Sequence, residues 1–97
     1  MKAIDISTHL KGLVEILKPE TVDRVIYGDP DAEVAGIAVA WMPYRETIER
    51  AAELGANVLV VHEPTFYGHW DLNEERTDIP PEVDEKKRLI DRRGITV

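Results

Sequence analysis

The segment that most constrains this chain is Val58-Leu59-Val60-Val61, an unbroken apolar run that stops at His62, Glu63 and Pro64. Val and Leu without polar alternation read as a strand buried on both faces, as in parallel sheets flanked by helices. Pro64 can neither donate to a ladder nor continue a central strand, so it fixes where the run ends. An imidazole and a carboxylate therefore emerge at a strand's C-terminal tip, the edge where open α/β sheets bind their ligands.

The flanking segments supply the rest of such a sheet. Ser7 or Thr8 can cap a helix whose Leu10, Leu13, Val14 and Leu17 form one buried stripe, and Pro19 prevents its continuation. Val22 to Tyr27 reads as a short strand ended by the turn cluster Gly28-Asp29-Pro30-Asp31, and Val34 to Trp41 as a second strand. These two are expected to pair as a hairpin-like unit. Pro43 suits the first turn of a helix; Glu46 and Glu49 favour its N-terminal half, and Ile48, Ala51, Ala52 and Leu54 make its apolar side before Gly55 closes it. Strand, helix and Val58 to Val61 then form a βαβ unit with parallel strands and a right-handed crossover.

Residues 65 to 82 lack a steady period and read as a long loop. Asp84 to Arg93 returns to helix, with Val83, the Lys86 stem, Leu89 and Ile90 inward and basic residues toward the negative end of its dipole. Gly94 gives the exit turn, and Ile95-Thr96-Val97 begins another buried strand. The expected architecture over residues 1–97 is a single α/β domain, a small two- or three-layer sandwich with a mixed, largely parallel sheet and about three helices. A chain that stops just after a strand begins reads as the N-terminal part of a longer fold or as a divergent half-length protein.

Composition removes several classes of function. With 19 acidic against 12 basic side chains and a formal charge of −7, the composition disfavours a nucleic-acid surface, where phosphate neutralisation calls for a basic patch, so a nucleic-acid partner is not expected. It has no cysteine, which excludes disulfides and thiolate metal sites and leaves His, Asp, Glu, carbonyls or water as donors. No stretch approaches the roughly 20 apolar residues of a membrane span, and no basic-then-apolar leader precedes the first helix. A soluble, cytoplasmic protein is the expectation.

His62 and Glu63 are the candidate metal ligands. Neighbours in a regular strand point to opposite faces, so they can share one ion only if the backbone turns between them, which the following proline favours. A catalytic site of the zinc type takes three protein ligands and an open position, whereas this pair supplies two. His69 and Asp71, farther along the same segment, could fold back to complete it, and His9 is a remote third option. On spacing alone, His62 bonded to a neighbouring loop beside a solvated Glu63 is the favoured reading. Trp41, Phe66, Tyr67 and Trp70 could stack on a nucleotide base but read better as core or interface. Lys86, Lys87, Arg88, Arg92 and Arg93 alternate with Glu82, Asp84, Glu85 and Asp91 as on a solvated helix face. Gly28 and Gly36 are too isolated to cradle a phosphate.

The wording from Gly28 to Ala40, and again from Gly55 to Phe66 and Tyr67, resembles the NGG-one-interacting factor three family, also called dinuclear-metal-centre proteins. The resemblance covers about residues 5 to 70. It implies a two-part α/β fold, hexameric rings with paired metal ions inside and, for some members, the label type 2 GTP cyclohydrolase I. The family's third strand ends in His-His-Pro, which falls on His62, Glu63 and Pro64. A carboxylate in the second place shifts preference toward harder ions such as Mg²⁺ or Mn²⁺. The family's strand-end Leu-Asp element falls on the uncharged Trp41-Met42, and its later ligand segments would lie beyond Val97. The resemblance therefore implies an incomplete metal-binding domain, holding Zn²⁺, Mn²⁺, Mg²⁺ or Fe²⁺, that assembles as a homo-oligomer. It would hydrolyse a small-molecule or nucleotide substrate only if further ligands complete it. The alternative is a non-catalytic oligomerisation or partner-binding module with a decayed metal site and an exposed sheet edge.

Overall fold

A computed structural model describes residues 1–14, 21–66 and 80–97. In chain order the elements are α1 (Ala3–Gly12), β1 (Ile37–Ala40), α2 (Arg45–Glu53), β2 (Val58–Val61) and α3 (Pro81–Arg93). β1 and β2 pair in parallel, Ile37 opposite Val58 through Ala40 opposite Val61, with α2 between them in sequence, so the expected βαβ unit is present. The chain's last residues extend the sheet: Val58 bridges Thr96 in parallel, Leu59 N–H donates to the Thr96 carbonyl at 2.8 Å, and Thr96 N–H donates to the Asn57 carbonyl at 2.8 Å. β2 is thus flanked on both sides, as its apolar composition requires.

The period-two alternation of a strand assigns the side chains to two faces. Ala38, Ala40, Leu59 and Val61 pack with Ile48 and Ala51 of α2 and with Leu89 and Ile90 of α3, which together with Ile95 and Val97 form the core. The small alanines of β1 suit close helix packing. The other face carries Ile37, Val39 and Trp41, which are 48%, 78% and 64% exposed. Only at Val58 and Leu59 is β2 fully buried; Val60 and Val61 are half-buried.

The expected hairpin does not form. Residues 22–27 make no strand, and instead Ile26 N–H donates to the Val97 carbonyl at 2.8 Å while Val97 N–H donates to the Tyr27 carbonyl at 2.9 Å. The segment that follows is occupied elsewhere: Lys2 bridges Glu33 in antiparallel fashion, and Val34 N–H donates to the Met1 carbonyl at 2.8 Å. Asn57 trims the front of the second strand, accepting from Ala35 N–H at 2.8 Å through Oδ1 and donating to the Glu33 carbonyl at 2.8 Å through Nδ2. These are ladder positions taken by a side chain, so β1 starts at Ile37. Gly28, at φ +100°, brings the backbone so close to the C-terminus that a Cβ there would lie 2.6 Å from the Ile95 carbonyl oxygen.

Helix starts also differ from expectation. α1 begins at Ala3 because Asp5 accepts from Lys2 N–H at 2.8 Å, and the Ala32 and Pro30 carbonyls accept from Ala3 N–H and Ile4 N–H at 2.9 and 2.8 Å. Thr8 is therefore inside the helix, its hydroxyl donating back to the Ile4 carbonyl at 3.1 Å. Leu10, Leu13 and Val14 are exposed rather than a buried stripe, and Leu17 and Pro19 lie outside the described residues. Pro43 is buried just ahead of α2, whose N-cap is Tyr44, and Leu54 is exposed at its C-cap. α3 starts at Pro81, where the missing N–H of proline is harmless, and ends on Gly94 in the left-handed region at φ 62°. No helix among the described residues is long and apolar enough to cross a membrane.

Candidate metal site at the tip of the second strand

The register of the parallel pair sets this site. Ala40 lies opposite Val61, so Trp41 and His62 leave the sheet side by side. The Trp41 carbonyl accepts from both His62 N–H at 3.3 Å and Glu63 N–H at 3.1 Å. Two successive amides aimed at one oxygen mean that the backbone has turned, since successive amides of a regular strand point to opposite sides. The side chains follow this turn. His62 Nδ1 lies 3.1 Å from Glu63 Oε1, and the imidazole lies flat on the Trp41 indole, with ring centroids 3.8 Å apart and planes 11° from parallel. The His62 and Glu63 side chains are 61% and 38% exposed, so water and ions reach them.

Below this tip runs a groove of about 660 Å³ whose walls are largely aliphatic: Ile6 and Leu10 of α1, Val14, and Val58 to Val61. His62, Glu63 and Thr65 also line it, giving an apolar trough with polar groups at the strand end.

The other candidates are placed as follows. His69, Asp71, Tyr67 and Trp70 lie outside the described residues. His9 stands in the last turn of α1, and among the described residues no group of three or more His, Asp or Glu side chains is gathered as a metal cluster. Phe66 is half-buried and meets Tyr27 edge-on at 5.4 Å, with Lys87 Nζ 5.1 Å above the Phe66 ring. It belongs to the core, whereas Trp41 does not. Burial, and then the hydrogen bond that Tyr27 donates to Asp91 at 3.0 Å, holds the Tyr27 phenol above its ordinary pKa. Two ion pairs link α3 to α2, one from the basic Arg93 of α3 to Glu49 at 3.1 Å and one from Arg45 of α2 to Glu85 at 3.5 Å. Lys86 crosses to the Thr65 carbonyl at 2.8 Å and ties α3 to the segment that follows the strand tip. The stack of Trp41 on His62 was not expected from sequence; only the strand register reveals that these residues are neighbours.

The chain has relatives among known proteins. It is 36% identical over 64 residues to a GTP cyclohydrolase 1 type 2 homolog of Streptomyces coelicolor, a match covering 64% of this chain and 22% of that protein. The crystal structure of Staphylococcus aureus protein SA1388 superposes with a TM-score of 0.72 at 26% identity, over 99% of this chain and 27% of that chain. Reduced HcgD from Methanocaldococcus jannaschii shares the fold with a TM-score of 0.71 at 20% identity, over 99% of this chain and 38% of that one. This chain thus spans well under half the length of each of these relatives. Residues 1–81 match the family model of Duf34/NIF3 (NGG1p interacting factor 3), and the chain belongs to that family.

Proposed function

We propose that this chain contributes a divalent-cation site of the Duf34/NIF3 type, with His62 and Glu63 as its residues and with further donors from outside the described segments. The observation that carries this reading is the convergence of His62 Nδ1 and Glu63 Oε1 to 3.1 Å at the C-terminal tip of a parallel strand. One imidazole and one carboxylate fit Zn²⁺, Mn²⁺, Fe²⁺ or Mg²⁺ and supply two of the three protein ligands that a catalytic site needs. His69 and Asp71, a second copy of the chain in a homo-oligomer, or a further segment of the fold would supply the rest. A cation held by these residues would supply the Lewis acidity on which a metal-dependent hydrolase relies. The name of the Streptomyces coelicolor relative supports a nucleotide as the substrate class, and the cysteine-free composition suits a cytoplasmic setting. Calorimetric titration with Zn²⁺ and Mn²⁺ tests the reading. Saturable binding that is lost in His62→Ala, with folding retained, supports it; no binding at millimolar cation overturns it.

The open sheet face favours a second reading, in which the chain is a docking module. The occupant in this reading is the polypeptide that carries the remainder of the family fold. Support comes from Ile37 and Val39, at 48% and 78% exposed, and from an alignment that takes in 99% of this chain but 27% of the Staphylococcus aureus chain. Sedimentation of the chain with and without the complementing segment of a family member tests it. Complex formation abolished by Val39→Glu supports this reading; self-association abolished by the same change would assign the face to a second copy instead, and a monomer indifferent to the segment removes it.

A further inference from the structure

We infer that the outer edge of β1 pairs with the same edge of a second copy of this chain, antiparallel about a two-fold axis that passes beside Ala38. Neither reading above requires this contact, which lies along the strand rather than at its tip or on its face. The Gly36 carbonyl accepts from Val58 N–H at 3.1 Å and Ile37 lies opposite Val58, so the main-chain groups of Gly36, Ala38 and Ala40 face β2. The amides and carbonyls of Ile37 and Val39 then point to the other edge, where no backbone group among the described residues bonds them. β2 differs, because its far side is bonded to the chain's last residues through Leu59 N–H and Thr96 N–H.

Geometry and charge select a second copy as the occupant. Outward groups at alternate residues are self-complementary: with the axis at Ala38, Ile37 of one copy faces Val39 of the other, and each such pair exchanges both of its N–H···O=C bonds. The exposed side chains of Ile37 and Val39 then become cross-strand pairs of β-branched residues. Copies of a chain with a formal charge of −7 repel over most of their surface, but no charged residue stands between Val34 and Tyr44, so these edges meet without like charges. Edge strands that stay single are commonly guarded by lysine, proline or a bulge, and Ile37–Ala40 carries none of these.

The experiment is sedimentation equilibrium of the metal-free full chain over a concentration series that reaches millimolar, with Val39→Pro and Val39→Thr beside it. A reversible dimer is expected. Proline at this position removes an outward amide and leaves the β1–β2 ladder whole, because the Val39 N–H takes no part in it. The dimer should weaken about thirtyfold, the loss of one hydrogen bond from each copy. Threonine keeps the amide and the β-branched shape, and should hold dimerisation within about threefold of the natural chain. The chain has no cysteine, so a single introduced one reads the register. Ala38→Cys places two thiols across the axis, at the roughly 4.5 Å Cα separation of a non-hydrogen-bonded pair, and mild oxidation should yield a disulfide-linked dimer. Val39→Cys places them on a diagonal of about 7–8 Å, outside disulfide reach, and should not cross-link. A chain that stays monomeric up to millimolar concentration overturns the inference, as does a dimer that Val39→Pro leaves intact with its circular dichroism unchanged, or one that cross-links equally at both positions. If Val39→Pro fails to fold, cross-linking of Ala38→Cys without cross-linking of Val39→Cys upholds the inference, and any other pattern overturns it.

Discussion

The face of the β1–β2 sheet that carries Ala38, Ala40, Leu59 and Val61 is closed by α2 and α3, whereas the face that carries Ile37, Val39 and Trp41 stands open. Both faces are apolar, so composition does not distinguish them; what distinguishes them is which helices reach them. The closed face holds the fold together. On the open face Ile37, Val39 and Trp41 are exposed, and they can change with little effect on folding.

Substitutions on the two faces should therefore separate sharply. Leu89→Ala, at a fully buried position against the closed face, is expected to destabilise by about 2–5 kcal/mol, the range for large-to-small changes in a core. Val39→Ala should stay within about 0.5 kcal/mol. Urea denaturation of the two variants measures both, and comparable losses would break the distinction between the faces.

A smaller effect is expected at the seam between Gly28 and the C-terminal residues. Gly28→Ala forces a side chain into φ +100° and against the Ile95 carbonyl, and should destabilise by about 2 kcal/mol. Hydrogen exchange would show faster opening of the Val97 and Ile26 amides before any change at α2.

The Tyr27 phenol gives the smallest and most specific effect. Its folded-state pKa lies above the ordinary 10.0, so the neutral form is favoured in the fold. The stability this confers is fully present below the unfolded value and is lost as pH rises through the raised folded value, because the unfolded chain releases its proton first. Stability measured across the alkaline range should fall for the natural chain and fall less for Tyr27→Phe. Identical alkaline slopes would separate Tyr27 from the closed core.

How far the sequence revealed all this depends on the distance between partners. The βαβ unit was legible because β1, α2 and β2 follow one another and each carries its own pattern. Gly94 marked the end of α3 through local backbone chemistry alone. The hairpin expectation failed because the partner of residues 22–27 is Val97, at the other end of the chain, and because Lys2 and Asn57 occupy the bonds that a neighbouring strand would have used. The start of α1 was hidden for the same reason, since its first amides are satisfied by the carbonyls of Pro30 and Ala32. At the strand tip, His62, Glu63 and Pro64 were legible as a chemical group in a meaningful place. The turn that joins the two side chains, and the indole beneath them, depend on register and were not.

The most direct measurement is elemental analysis by mass spectrometry of the purified chain beside His62→Ala. A stoichiometric divalent metal in the natural chain, absent from the variant while its circular dichroism is unchanged, is the predicted result. A chain free of metal in both forms, or one whose metal survives the loss of His62, would contradict the account.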